Sequence, residues 1–286
     1  MIVIVGTMLV LGAVLAGFTM AGGHIAALIH PSEIVTIAGA AIGSLIVMSP
    51  KKVLLDLIRS LVQCVKGTPY NKRAYEEAFK LLYDLFRMAR RDGLMALESH
   101  IIDPQKSSLF SKYPHFTHNH HALSFLTGAL TPIVDGTVKP EQLPGLLEAD
   151  LKLIEEEHHA PTGVMTKTAD ALPGFGIVAA VLGIVVTMSA IDGPVEEIGE
   201  KVGAALVGTF LGILLSYGFF APMAIRMDFL GASEISFLRV VASTIPGFVG
   251  EMAPKVALEQ ARRGVVAEFR PSRDEMDEWL RQVDTS

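Results

Sequence analysis

The sequence predicts an all-α integral membrane protein with four transmembrane helices, a large helical cytoplasmic domain between the second and third, and a helical cytoplasmic C-terminal tail. Two observations carry this. Half of the 286 residues are hydrophobic, yet they are gathered into a few long blocks and not spread along the chain. The basic residues, in turn, keep almost entirely to one side of those blocks. A bilayer core about 30 Å thick needs roughly 20 apolar residues in helical form, because lipid offers no partner to an unpaired backbone group.

Four blocks meet that length, at residues 2–21, 34–48, 171–191 and 202–225, the second being short and extended by its flanks. The first ends in small residues, as a secretory signal would. No Lys or Arg precedes it, however, and a second apolar block follows about a dozen residues later, so it is expected to be a retained span. Of 24 Lys and Arg, 15 lie between Lys51 and Lys167, Lys201 alone lies between spans three and four, eight follow span four, and none separates spans one and two. That asymmetry places both termini inside. The expected division is residues 1–50 for spans one and two, 51–169 for a cytoplasmic domain, 170–228 for spans three and four, and 229–286 for a cytoplasmic tail.

Small residues recur at every fourth position in the spans: Gly39 and Gly43, Gly176 and Ala180, then Ala204, Gly208 and Gly212. This spacing allows close backbone approach, within one subunit or between subunits. No ionisable side chain is expected at membrane depth. Glu33 and Asp170 read as span entrances, and Asp192, Glu196, Glu197 and Glu200 as an outer loop. If ions cross here, the titrating group has to come from a partner. Thr187, Thr209, Ser216, Tyr217, Pro173 and Pro222 are the polar or helix-perturbing features, and the two prolines are expected to share a depth near the inner ends of their spans. A proline in a helix frees the carbonyl four residues back.

Beyond Pro50 the pattern becomes amphipathic. Tyr75, Ala78, Phe79, Leu82, Phe86 and Ala89 share one helical face, and Lys80, Asp84, Arg87 and Arg91 share the other. Gly93 reads as a helix stop, with Leu94, Leu97 and Glu98 in a second short helix, so that Arg90 and Glu98 flank a turn; by pattern alone these charges read as a solvated face. Pro140 can open a helix running to about residue 157, and Ser272 with Glu275 makes a capping box for a last helix that buries Met276, Trp279, Leu280 and Val283.

Several function classes are excluded. Cys64 is the only cysteine, so no internal disulfide can form, and it has no Cys or His companion at metal-ligand spacing. Glu155 with His158, and Glu156 with His159, have a metal-ligand spacing but overlap on one helix end, so no metal site is expected. The net charge of −6 and the absence of a basic stripe argue against nucleic acid. Nothing matches a phosphate loop, zinc-protease motif or nucleophile elbow, so no catalytic residue or cofactor is expected.

Taken in order, GTMLVLGAVLAGF, PSEIVTIAGAAIGSLIV, ARRDGLMALE, LPGFGIVAAVLGIV and VGTFLGILLSYGFFAP resemble the MotA/PomA family of flagellar motor stator proteins over nearly the whole chain. The resemblance implies an inner-membrane torque generator: a homo-oligomer, a pentamer, around two copies of a single-span partner, MotB. That partner supplies the membrane aspartate and the peptidoglycan anchor. Pro173 and Pro222 match positions beside that aspartate, and Arg90 and Glu98 match charges presented to the rotor protein FliG. Ala180 stands where sodium-driven relatives carry threonine, while Thr209 keeps the second hydroxyl position. The expectation is therefore protons, with sodium second, because sodium favours several oxygen ligands. The alternative is an energiser of the TolQ/ExbB kind. The resemblance gives no role to the segment His115 to His121.

Overall fold

The computed structural model describes residues 2–189, 191–250 and 252–285, and among these every regular element is helical. Four stretches are long and apolar enough to cross a membrane: Ile2–Met20, Ile25–Met48, Pro140–Met188 and Val195–Val249. The described chain divides into two compact units, one formed by the chain up to Gly67 with Glu157–Leu230, the other by Thr68–Glu156 with Gly231–Ser286.

In the first unit, α1 (Ile2–Met20) buries none of its residues within the chain. Apolar all round, it is half-buried along the face of Val3, Thr7, Val10, Val14 and Phe18 and exposed elsewhere, so its outer face is one that lipid or another chain has to cover. Helix α2 (Pro31–Met48) starts with proline at its first position, where the missing N–H costs nothing, and buries Glu33, Ile37 and Ala41. Helix α3 (Lys51–Lys66) is amphipathic, burying Leu57 and Cys64, and it stops at Gly67, whose φ of 94° suits glycine.

The third span is part of a much longer helix than expected. Pro140 opens a 3-10 turn, but the helix that follows, α8 (Leu143–Met188), does not end near 157. It continues for 46 residues through Pro161 and Pro173. At 1.5 Å per residue that is about 69 Å, more than twice a bilayer core, so much of α8 has to lie outside hydrocarbon. Three threonines line the stretch where a break was expected. Thr162, Thr166 and Thr168 each donate a hydroxyl hydrogen bond to the carbonyl four residues back, at 2.9 to 3.1 Å.

Helix α9 (Val195–Leu215) passes through a π-helical turn, Ser216–Phe220, into α10 (Ala221–Val249). Pro222 explains the wide turn: it has no N–H for the Gly218 carbonyl, and its ring would press on that carbonyl in regular geometry. One extra residue in the turn relieves both.

The second unit is built on α4 (Lys72–Asp92), whose Asn71 cap accepts from the Ala74 N–H at 3.1 Å. Tyr75, Ala78, Phe79, Leu82, Phe86 and Ala89 are all buried, as their spacing predicts. Each large side chain among them contributes about 1.5–3 kcal/mol of burial. Gly93, at φ 87°, ends α4; a 3-10 turn at Leu94–Leu97 and α5 (Glu98–Ile102) follow. Around α4 lie α6 (Pro114–Thr117), α7 (His120–Val134), α11 (Pro254–Gly264) and α12 (Arg273–Asp284). Phe86 stacks on Phe248 with ring centroids 4.3 Å apart. The capping box of α12 forms, with Ser272 accepting from Glu275 N–H and Glu275 from Ser272 N–H.

The polar face of α4 holds this last helix down. Lys72 meets Glu275 at 2.6 Å, Lys80 donates to Gln282 at 2.7 Å, and Arg87 meets Asp284 at 2.7 Å.

Candidate functional site

Where α8 and α9 cross, glycine brings backbone onto backbone. A Cβ on Gly212 would lie 2.7 Å from the Leu172 carbonyl oxygen, one on Gly176 would lie 2.9 Å from the Gly208 oxygen, and one on Gly183 would lie 2.8 Å from the Ala205 Cβ. Only hydrogen fits at such distances, and the close approach replaces the hydrophobic drive that lipid cannot supply. Gly39 and Gly43 differ: among the described residues nothing outside their own helix comes within 4 Å of a Cβ at either. The small residues of spans three and four are thus used inside the chain, and those of span two are open to other molecules.

Ala180 and Thr209 both border this seam. The Ala180 nitrogen lies 3.5 Å from the Cβ position of Gly208, and the Thr209 Cα 3.3 Å from that of Gly176. Pro173 follows Leu172, which faces Gly212. The carbonyl that Pro173 frees, on Ala169, accepts from the buried Ser216 hydroxyl at 2.7 Å. Ala169 therefore faces Ser216, and the two helices run antiparallel. Pro222 lies about ten residues past Gly212, or about 15 Å further along the axis, so the two prolines do not share a depth. The expected coincidence fails because it counted from the ends of apolar blocks and not from the helix crossing.

Glu33 is the larger correction. Glu33 lies in the first turn of α2, at the start of the span as expected, yet its side chain does not face water. The residue is 6% exposed. Its Oε2 is 2.8 Å from where a Cβ on Gly208 would stand, and that same point is 3.1 Å from the Ala179 Cβ. The carboxylate is thus set at the α8/α9 seam, near the middle of the third apolar block. An ionisable group at the start of span two is thus packed against the other spans instead of facing water. A missing side chain on another helix creates the space, which no local pattern reports.

In the other unit, Arg90 is exposed in the last turn of α4, and Glu98 is exposed at the start of α5. Arg90 lines a cavity of about 830 Å³ together with Arg87, Arg91, Lys112, Lys255 and Asp84. Glu98 is not part of its wall, so the two charges flank the turn without sharing one pocket. Arg91 holds the Asp92 carboxyl below its ordinary range by hydrogen bonding.

The segment from His115 to His121 has a structural explanation. Glu77, buried on α4, accepts from the His115 N–H at 2.7 Å and the Phe116 N–H at 3.3 Å, capping α6. His121 Nδ1 lies 2.6 Å from Glu234 Oε1.

Comparison with known proteins agrees with this architecture. A family model for the motility protein A N-terminal region matches residues 4–93, and one for the MotA/TolQ/ExbB proton channel family matches residues 118–237. Motility protein A of Salmonella typhimurium is 34% identical over 99% of this chain and 96% of its own, and that of Escherichia coli is 35% identical over the same shares. Chemotaxis protein LafT of Vibrio parahaemolyticus is 36% identical over 96% of each. The fold is that of the solved structure of C. jejuni MotAB, with a TM-score of 0.77, 22% identity, and coverage of 95% of this chain and 98% of that one. The flagellar MotAB stator complex from Bacillus subtilis gives a TM-score of 0.72 at 24% identity, covering 96% and 98%. With a third of its residues shared along its whole length with these proteins, the chain belongs to the motility protein A family of multi-pass membrane proteins.

Proposed function

We propose that the chain is the ring-forming subunit of a flagellar motor stator, which together with MotB conducts ions and converts their flow into torque on FliG. One observation carries the reading: whole-length identity to motility protein A relatives, joined to the fold of MotAB stator complexes. The chain does no bond-making chemistry and needs no organic cofactor. Its assembly is a pentamer around two MotB chains in the inner membrane, with both termini, residues 51–169 and residues 229–286 on the cytoplasmic side. The one-sided distribution of Lys and Arg supports that placement.

Pro173, Ala180 and Thr209 line the ion-coupling seam, with Pro222 at the π-helical turn beyond it. Arg90 and Glu98 face the rotor. Protons are the favoured ion. Ala180 brings no oxygen, and the carbonyl freed by Pro173 is already taken by Ser216, so a bare sodium ion would find few ligands from this chain. A TolQ/ExbB-like energiser is the lesser reading, since the motility-specific N-terminal model matches residues 4–93. The deciding experiment expresses this chain with its partner in cells lacking their own stator and records swimming speed while proton and sodium gradients are varied separately. Speed that follows the proton gradient alone supports the proposal; failure to restore swimming refutes it.

A further inference from the structure

We propose that Glu33 is an ion-binding carboxylate belonging to this chain itself, which takes up and releases the transported proton at the α8/α9 seam. The proposal deepens the stator reading and rests on it. A buried carboxylate inside a membrane span is costly unless it is paired or used, and those that are kept mark ion pathways. Glu33 is 6% exposed. Ser32 donates to its Oε1 at 3.5 Å, a weak bond, and among the described residues no cation lies within ion-pair distance of it.

The surroundings fit a proton site better than a structural salt bridge. Gly208 leaves the space that Oε2 fills, and Ala179 and Ala180 close it from α8 with groups that do not titrate. Charged groups on the packed elements lie well away along the helices. On α9, Glu200 and Lys201 are about two turns from Gly208, roughly 10 to 12 Å, and Lys201 is held by Glu197 at 2.7 Å. On α8, Asp170 is about 15 Å from Ala180 along the axis. On its own element, His30 lies at the cap of α2 with Nε2 3.1 Å from the Ala27 oxygen.

An independent feature offers a route in. A cavity of about 890 Å³ lies between α1, the 3-10 turn and connector that precede α2, and α9, lined by Phe18, His30, Glu200, Gly203 and Val207 among others. It reaches the residue before Gly208 and the cap of the helix that carries Glu33. Glu33 is not part of its wall, and a proton arriving there has the step from Val207 to Gly208 left before it meets the carboxylate. The step balances simply: the carboxylate gains one proton from hydronium, leaving water, and later loses it to the partner's membrane carboxylate, so the chain is unchanged over a cycle.

The test uses E33Q and E33D with the partner in stator-deficient cells. Membrane abundance and partner co-purification are measured alongside. E33Q, which keeps shape but cannot ionise, is expected to swim at about a tenth of wild-type speed or less, with E33D intermediate. Wild-type speed in E33Q at every external pH would make Glu33 merely structural and leave the stator reading intact. Failure of the unaltered chain to restore swimming removes the reading beneath both. Should E33Q not accumulate, the unaltered complex is treated with dicyclohexylcarbodiimide, which adds across a protonated carboxyl in apolar surroundings, and its peptides are weighed. An adduct on Glu33 that declines as pH rises supports the site; no adduct there at any pH overturns it.

Discussion

The Ser216 hydroxyl donates to the Ala169 carbonyl at 2.7 Å, across 47 residues of chain. Ala169 is the residue whose helical partner Pro173 removes. One helix thus supplies the hydrogen bond that the other lacks, which fixes the crossing of α8 and α9 at the depth of Pro173. An orphaned buried acceptor costs about 1–3 kcal/mol, so S216A is expected to destabilise the purified complex by about that amount. P173A returns an N–H within reach of Ala169 and should lessen the effect. The double variant is therefore expected to be less destabilised than the sum of the singles, by about 1 kcal/mol. Strict additivity in thermal unfolding would show that the two residues act separately.

Glycines in the spans divide into two groups, and substitution separates them. G212A places a methyl group 2.7 Å from the Leu172 oxygen and 2.9 Å from the Gly176 Cα, both backbone atoms that cannot swing aside. Overpacking of that kind costs about 1–3 kcal/mol, read as a lower unfolding temperature and reduced membrane abundance. G39A meets nothing within 4 Å outside its own helix among the described residues. It is expected to leave the isolated chain as stable as before, so a loss of oligomer in G39A would place span two at a subunit contact. Equal losses of chain stability in both variants would contradict the seam.

Local features are legible in the sequence because their causes are local. Apolar run length located the spans, the spacing of Tyr75 to Ala89 found the buried face of α4, and Ser272 with Glu275 announced α12. What escaped was set by distant partners. The burial of Glu33 depends on a glycine 175 positions away on α9, and the role of Ser216 on a carbonyl that Pro173 frees. The pattern puts Lys80 and Arg87 opposite the apolar face of α4 without saying what covers them; they dock α12, a tail that lies about 200 residues further on. The continuity of α8 was missed for a related reason. The amphipathic stretch and the apolar block read as two elements, but α8 runs unbroken through both, past Pro161 and Pro173.

Charge at the turn after α4 gives a test that separates contact from stability. R90E is expected to lower torque, and a compensating charge change on the rotor should restore it, since the Arg90 side chain is exposed at the end of α4. R87E on the same cavity wall acts differently. Arg87 holds Asp284 and the Val283 carbonyl, so its reversal should loosen α12, by about 1 kcal/mol or less for so exposed a pair. Protease sensitivity of the C-terminal helix, measured beside swimming speed, tells the two apart. Unchanged torque in R90E would return that residue to the solvated surface.

Acid stability is expected to depend on Glu259. Hydrogen bonds from Arg262, Nε to Oε2 at 2.7 Å and Nη2 to Oε1 at 2.9 Å, hold its carboxyl down to about 2, below the ordinary 4.5. The same guanidinium donates to the Pro271 carbonyl at 2.9 Å, so the pair ties α11 to the segment leading into α12. A carboxyl whose folded value is depressed stabilises the fold at every pH above its unfolded value. As pH falls from about 4.5 to about 2, the unfolded chain takes up the proton first and the contribution is lost. Glu259 is one-third exposed, so solvent screening limits the contribution to about 1 kcal/mol or less. E259Q is therefore expected to unfold a few degrees below the unaltered protein at neutral pH, with the gap closing towards pH 2. A gap that stays constant down the whole range would mean that the amide disturbs packing and that the charge contributes nothing.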